Sequence, residues 1–287
     1  MTLGFVPSDA GLLVLQAGMV AAPRAASRVQ WLRRFRGRAW ALVPVASIVL
    51  VIFAIRYVSD TANGLTWLAL IAVPILAAIT LAWGMRGATP LAALAVIPLF
   101  VLAWAAKDSL AGQAAGAVLS GLSCVTLGVL LAAVTPPAWL KVGILLMAGA
   151  DVWLVASDLL QAPNATLGAA APPVGLPQLQ GEVFGTVTMG YGDLFLAAVL
   201  GAVLADRRKL QLSAALLTLV IAGAFDLLFF VINELPATVP VALALICVEV
   251  WSRRRRRSEP RPESTTTASA AYRRPLTRAD AILRRAR

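Results

Sequence analysis

Apolar residues run along this chain in long blocks rather than in the two- or three-residue alternation of a half-buried strand or surface helix. Crossing the hydrocarbon core of a bilayer takes about 20 such residues as a helix. Eight blocks meet or approach that length: Ala39 to Val58, Leu65 to Met85, Ala88 to Ala106, Leu110 to Val134, Ala138 to Leu160, Val183 to Ala205, Leu210 to Ile232 and the shorter Leu235 to Trp251. The pattern predicts an all-α, polytopic transmembrane helical bundle of about eight spans. A further stretch, Gly11 to Ala22, is short, lacks a basic stretch before it and precedes arginines. It reads as interfacial or loosely packed and not as a standard signal peptide. The Pro-rich connection Ala162 to Gln178 and the Ser/Thr/Pro-rich tail are expected to be non-helical.

Composition strengthens the membrane reading. The 287 residues are 60% hydrophobic and 14% charged, with mean hydropathy +0.82, too little polar surface to cover a soluble domain of that size. Twelve of the 25 basic residues, against three acids, lie between Ser252 and Arg287. No aromatic residues interleave with the run Arg253, Arg254, Arg255, Arg256, Arg257. That run reads as a topology anchor at anionic headgroups, and nucleic acid is not expected as a partner.

Basic residues also alternate between connections. Arg24, Arg28, Arg33, Arg34, Arg36 and Arg38, then Arg86, Lys141, the group Arg207, Arg208 and Lys209, and the final arginine run all fall on one side of an eight-span chain. The opposite side holds Arg56 with Asp60, Lys107 with Asp108, a base-free loop from Gln161 to Glu182, and Asn233 with Glu234. The positive-inside rule then places both termini in the cytoplasm, with the cytoplasmic membrane of a bacterium the expected location. The expected organisation is a basic N-terminal segment (1–38), a four-span bundle (39–134), a four-span core (138–251) and a basic disordered tail (252–287).

Chemistry has few places to reside. There is no histidine, which excludes the HExxH zinc mechanism and the Ser-His dyad. Cys124 and Cys247 lie in apolar blocks and make neither a disulfide framework nor a metal set. No metal or cofactor is expected. Asp151, Asp193 and Asp226 stand well inside apolar blocks, whereas Asp158 and Glu249 lie near block ends. An ionisable group at the bilayer centre costs about 2.5–3.5 kcal/mol on insertion scales, so each requires a reason. Measured from block midpoints at ~1.5 Å rise per residue, Asp151 and Asp193 fall within about 2 Å of one depth on antiparallel neighbours. Asp226 falls farther outward.

Paired carboxylates suit one chemistry: an ionised oxygen activates water while the protonated partner polarises a scissile carbonyl. On spacing alone, interhelical hydrogen bonds or a proton path through Asp151, Asp193 and Asp226 fit equally well. Asp193 ends the string Gly190-Tyr191-Gly192-Asp193, in which two glycines leave room for close approach by an extended peptide.

These segments resemble the GxGD intramembrane aspartyl proteases, the presenilin and signal peptide peptidase family. Ala150-Asp151-Val152-Trp153 resembles its YD segment, Gly190-Tyr191-Gly192-Asp193 its GxGD motif, and Pro236-Ala237-Thr238 its PAL motif. The resemblance covers roughly Val142 to Trp251 and implies a presenilin-like core in the last four spans. It also implies a catalytic dyad of Asp151 and Asp193, a substrate cleft lined by Gly190, Tyr191, Gly192, Pro236, Ala237 and Thr238, and membrane-embedded peptide or protein substrates. Ala150 replaces the family's tyrosine and Thr238 its leucine, and the family's nine spans exceed the eight counted. The implied orientation is that of signal peptide peptidase. Prepilin peptidases also carry a GxGD pattern but follow the second aspartate with Val-Lys, where this chain has Leu194-Phe195. Without the resemblance, Pro236 is simply a proline in the first turn of a helix.

Overall fold

The computed structural model describes residues 7–25, 30–57, 60–157, 159, 161–170, 175–185, 187–227 and 236–258. The architecture is helical: α1 Pro7–Ala21, α2 Val43–Tyr57, α3 Thr61–Ile79, α4 Val96–Ala105, α5 Leu110–Val134, α6 Pro137–Ala156, α7 Gln161–Ala169, α8 Tyr191–Leu204, α9 Arg208–Asp226 and α10 Val239–Ser258. One antiparallel hairpin, β1 Gly181–Phe184 and β2 Val187–Gly190, runs directly into α8. Among the described residues, four helical stretches are long and apolar enough to cross a membrane: Thr61–Gly84, Leu110–Val134, Pro137–Ala156 and Arg208–Asp226.

The first compact unit, ending at Val248, is organised around α5. Fifteen of that helix's 25 residues are buried. One side, with Ala115, Leu119 and Leu122, joins Leu70, Val73, Ala77 and Val96 from α3 and α4. Other residues, including Cys124, Val125 and Val129, join a second core with α1, α6, α8, α9 and Val241, Ala244 and Leu245 of α10. Small residues allow these crossings. A Cβ at Gly128 would lie 2.9 Å from the main chain of Ala198, and one at Gly201 would strike the carbonyl of Val20. Close backbone approach of this kind is how apolar helices gain packing where no hydrophobic drive separates them from lipid.

The second unit begins at Glu249. Its described part continues helix α10 through the arginine run to Ser258, with Glu249 paired to Arg253 at 3.7 Å. Residues 252–258 are therefore helical rather than part of a disordered tail, and residues 259–287 lie outside the described residues.

Four expectations require correction. The stretch Gly11 to Ala22 is not loosely packed: Leu12, Gln16, Ala17, Met19 and Val20 of α1 are buried against α8 and α9. Its apolar residues suffice for a helix packed on one side against α8 and α9, with Val14 on the exposed side (60% exposed). The block Val183 to Ala205 is not one helix. Its first part pairs as a hairpin because Val183, Phe184, Val187 and Thr188 favour strand, and Gly185 (φ 65°) supplies the left-handed turn residue. The connection from Ala162 is not wholly irregular, since Gln161–Ala169 is helical with Pro163 in its first turn, where no intrahelical N–H is required. Finally, the block from Ala39 and the block from Ala88 each begin with a tight 3₁₀ stretch, Ala39–Leu42 and Pro90–Ala95, ahead of shorter α-helices.

Arginines close the helix ends at one pole of this unit. Arg208 donates to the Ala21 carbonyl (2.6 Å) after α1, Arg86 to the Ala205 carbonyl after α8, and Arg24 to the Trp83 carbonyl (2.7 Å) after α3. A cation at a helix C-terminus stabilises by about 0.3–1 kcal/mol when exposed. At the other pole, the start of α1 meets the end of α9 and strand β2 around a shared cavity.

Candidate active site

Asp193 is the third residue of α8, so its carboxylate lies at the junction of hairpin and helix rather than mid-helix. It folds back to accept the Gly190 N–H through Oδ2 (3.0 Å), satisfying one of the unpaired donors at the helix start. A Cβ at Gly190 would lie 3.2 Å from that same oxygen, which accounts for a glycine there. Tyr191 is anchored from below: its hydroxyl shares a 2.7 Å hydrogen bond with Ser123 of α5, and its carbonyl lies 3.7 Å from the Cys124 thiol. At Gly192 a Cβ would make ordinary contact with Met147 of α6 (3.5 Å). The first turn of α8 is thus held on α5 and α6 with its carboxylate at the hairpin end.

Asp151 is the fifteenth residue of the 20-residue helix α6. The Thr238 hydroxyl donates to its Oδ2 at 2.6 Å, and the Thr238 main chain also bonds the carboxylate. The Asp151 and Asp193 carboxylates are close enough to interact electrostatically, and both are half-buried. Three segments that are far apart in sequence therefore meet: α6 at Asp151, the hairpin and α8 at Asp193, and the start of α10 at Thr238.

Pro236 and Ala237 line the cavity at the α1–α9 pole, with Gln16, the strand β2 residues Val187, Thr188 and Met189, and the carboxylates Asp9 and Asp226. Gln16, 1% exposed, donates its side-chain amide to the Ala237 carbonyl at 2.9 Å. Asp226 ends α9 with Oδ2 buried and without a hydrogen-bond partner, and it interacts electrostatically with Asp9 rather than with Asp193. Asp158 lies outside the described residues. Among the described residues no group of three or more potential ligands is gathered for a metal ion.

The comparisons with protein-family models, curated proteins and solved structures find no match. Sequence reading missed Gln16, Asp9 and Thr188. Gln16 carried a signal, because a lone amide within the apolar stretch Gly11 to Ala22 must find a buried partner. Thr188 and Asp9 carried none, since only the folded chain brings β2 and α1 to one cavity.

Proposed function

We propose that this chain is an intramembrane aspartyl protease, a relative of the GxGD enzymes, that hydrolyses peptide bonds within transmembrane or signal-peptide helices. The observation that carries the reading is the meeting of Asp151 and Asp193 from separate helices, with Thr238 of the third motif bonded to Asp151. One carboxylate takes a proton from water as the water oxygen attacks the scissile carbonyl carbon. The other carboxyl donates to the carbonyl oxygen. Proton transfer to the amide nitrogen then releases the amine as the C–N bond breaks. Two features favour a peptide substrate. A helix must unwind before its amide is accessible, and strand β2, which runs directly into the turn that carries Asp193, offers an edge suited to an extended segment.

The bundle belongs, on this reading, in the cytoplasmic membrane of a bacterium, with Arg253 to Arg257 at anionic headgroups. Four helical stretches long enough to cross a membrane and four shorter apolar helices, α1 among them, are the candidate segments among the described residues. With the arginine-capped pole cytoplasmic, α1 starts at the outer pole and ends at the inner one. An outer start of α1 at Pro7 then stands in place of the cytoplasmic start expected of an eight-span chain.

Cleavage of a reporter transmembrane helix by the purified, reconstituted protein tests the reading. Asp151→Ala and Asp193→Ala are expected to accumulate normally and lose cleavage. Full cleavage by either variant rejects it. A proton-coupled transporter is a second reading, favoured by the unpartnered Asp226 oxygen at the cavity it lines with Asp9, Pro236 and Ala237.

A further inference from the structure

Where the family pattern has leucine, a residue without a polar atom, this chain has Thr238, and it is 2% exposed. Its position is specified at both ends. The Ala242 N–H donates to the Thr238 carbonyl (3.1 Å), so Thr238 caps α10, with its own N–H pointing away from that helix's interior. Both of its donors, hydroxyl and main-chain N–H, are directed at Asp151. The preceding carbonyl, of Ala237, is held by the buried Gln16 amide from α1, 221 residues away in sequence (2.9 Å). The Thr238 carboxylate contact is thus the end of a buried chain from α1 through the Pro236–Thr238 turn to α6.

We propose that Thr238 is a positioning residue for Asp151, not a wall of the substrate cleft, and that Gln16 holds the turn that presents it. The inference rests on the protease reading above. The Thr238 hydroxyl occupies Asp151 Oδ2, and in this assignment Oδ1 orients and deprotonates water. Asp193, bonded at Oδ2 by one N–H of Gly190, supplies the proton to the substrate carbonyl. The third motif therefore assigns unequal roles to the two aspartates: Asp151 is the base and Asp193 the acid. Burial of the hydroxyl makes the contact costly to lose, because a donor to a charged group in a closed site has no water to replace it.

The test is reporter-helix cleavage by the full chain in vesicles, comparing Thr238→Val, which keeps the shape and removes the hydroxyl, with Thr238→Ser, which keeps the hydroxyl. Thr238→Val is expected to lower kcat by roughly 10- to 100-fold with KM within about twofold, the pattern of a lost transition-state interaction. Thr238→Ser is expected to stay within about threefold of wild type, since it retains the donor. An unchanged kcat in Thr238→Val, a change confined to KM, or a Thr238→Ser as impaired as Thr238→Val overturns the proposal. If Thr238→Val does not accumulate, Gln16→Leu takes its place: it leaves Asp151 and Thr238 intact, and a kcat equal to wild type overturns the chain from α1. Asp193→Ala separates the two levels. Cleavage that survives Asp193→Ala removes the dyad and this proposal with it, whereas loss in Asp193→Ala beside an undiminished Thr238→Val overturns this proposal alone.

Discussion

Asp151, Asp193 and Asp226 are three acids in apolar surroundings, and their neighbours separate them. Asp151 and Asp193 interact electrostatically and are each met by a hydrogen-bond donor, whereas Asp226 interacts with Asp9 at the cavity that Pro236 and Ala237 also line, with one oxygen unpartnered. A dyad needs the first two and not the third. Asp226→Asn is therefore expected to retain reporter cleavage within about threefold, a surface-like effect on kcat/KM. Loss of cleavage comparable to Asp193→Ala would instead favour a three-aspartate proton path. The aspartates stood out in the sequence because acids in apolar blocks are conspicuous, but the depth count assumed one helix over Val183 to Ala205, whereas Asp193 is the third residue of α8 behind a hairpin. Thr238 was legible only as a departure from a motif. Its bond to Asp151 spans 87 residues, and no local pattern encodes a contact of that range.

At the scale of elements, helices longer than about 18 residues were readable from hydropathy because length alone identifies them, and Leu110 to Val134 matches α5 at both ends. The short elements were not. Helix α1 is too short for a hydropathy window, and the hairpin was hidden inside an apolar block whose β-branched residues distinguish it. The alternation of small residues along α5 and α8 makes a prediction here. Gly128→Leu forces side-chain atoms into the main chain of Ala198 and is expected to destabilise the fold by about 1–3 kcal/mol, the usual cost of overpacking. Gly64 in α3 has nothing within 4 Å of a Cβ, so Gly64→Ala is expected to raise stability by about 0.5–1 kcal/mol through helix propensity. Thermal unfolding in detergent distinguishes them; equal midpoints for the two variants would contradict the close α5–α8 crossing.

At the scale of the whole molecule, the arginine caps and the acidic cavity define opposite poles of the first unit, and α1 joins them. The charge alternation put Arg24, Arg86 and Arg208 on one side, and the three bind helix ends at one pole of the fold. Which side the chain starts on turns on whether α1 crosses the membrane. Cysteines introduced singly at Ala10 and at Lys209, in a chain with Cys124 and Cys247 replaced by serine, are expected to react with an impermeant thiol reagent from opposite faces of the membrane. Reaction of both from one face would return α1 to an interfacial position. The central claim, that Asp151 and Asp193 form one hydrolytic centre, is most directly tested by affinity labelling with a transition-state-analogue inhibitor of aspartyl proteases. Labelling of the wild type that is lost in both Asp151→Ala and Asp193→Ala is the expected result; labelling undiminished in either variant would contradict it.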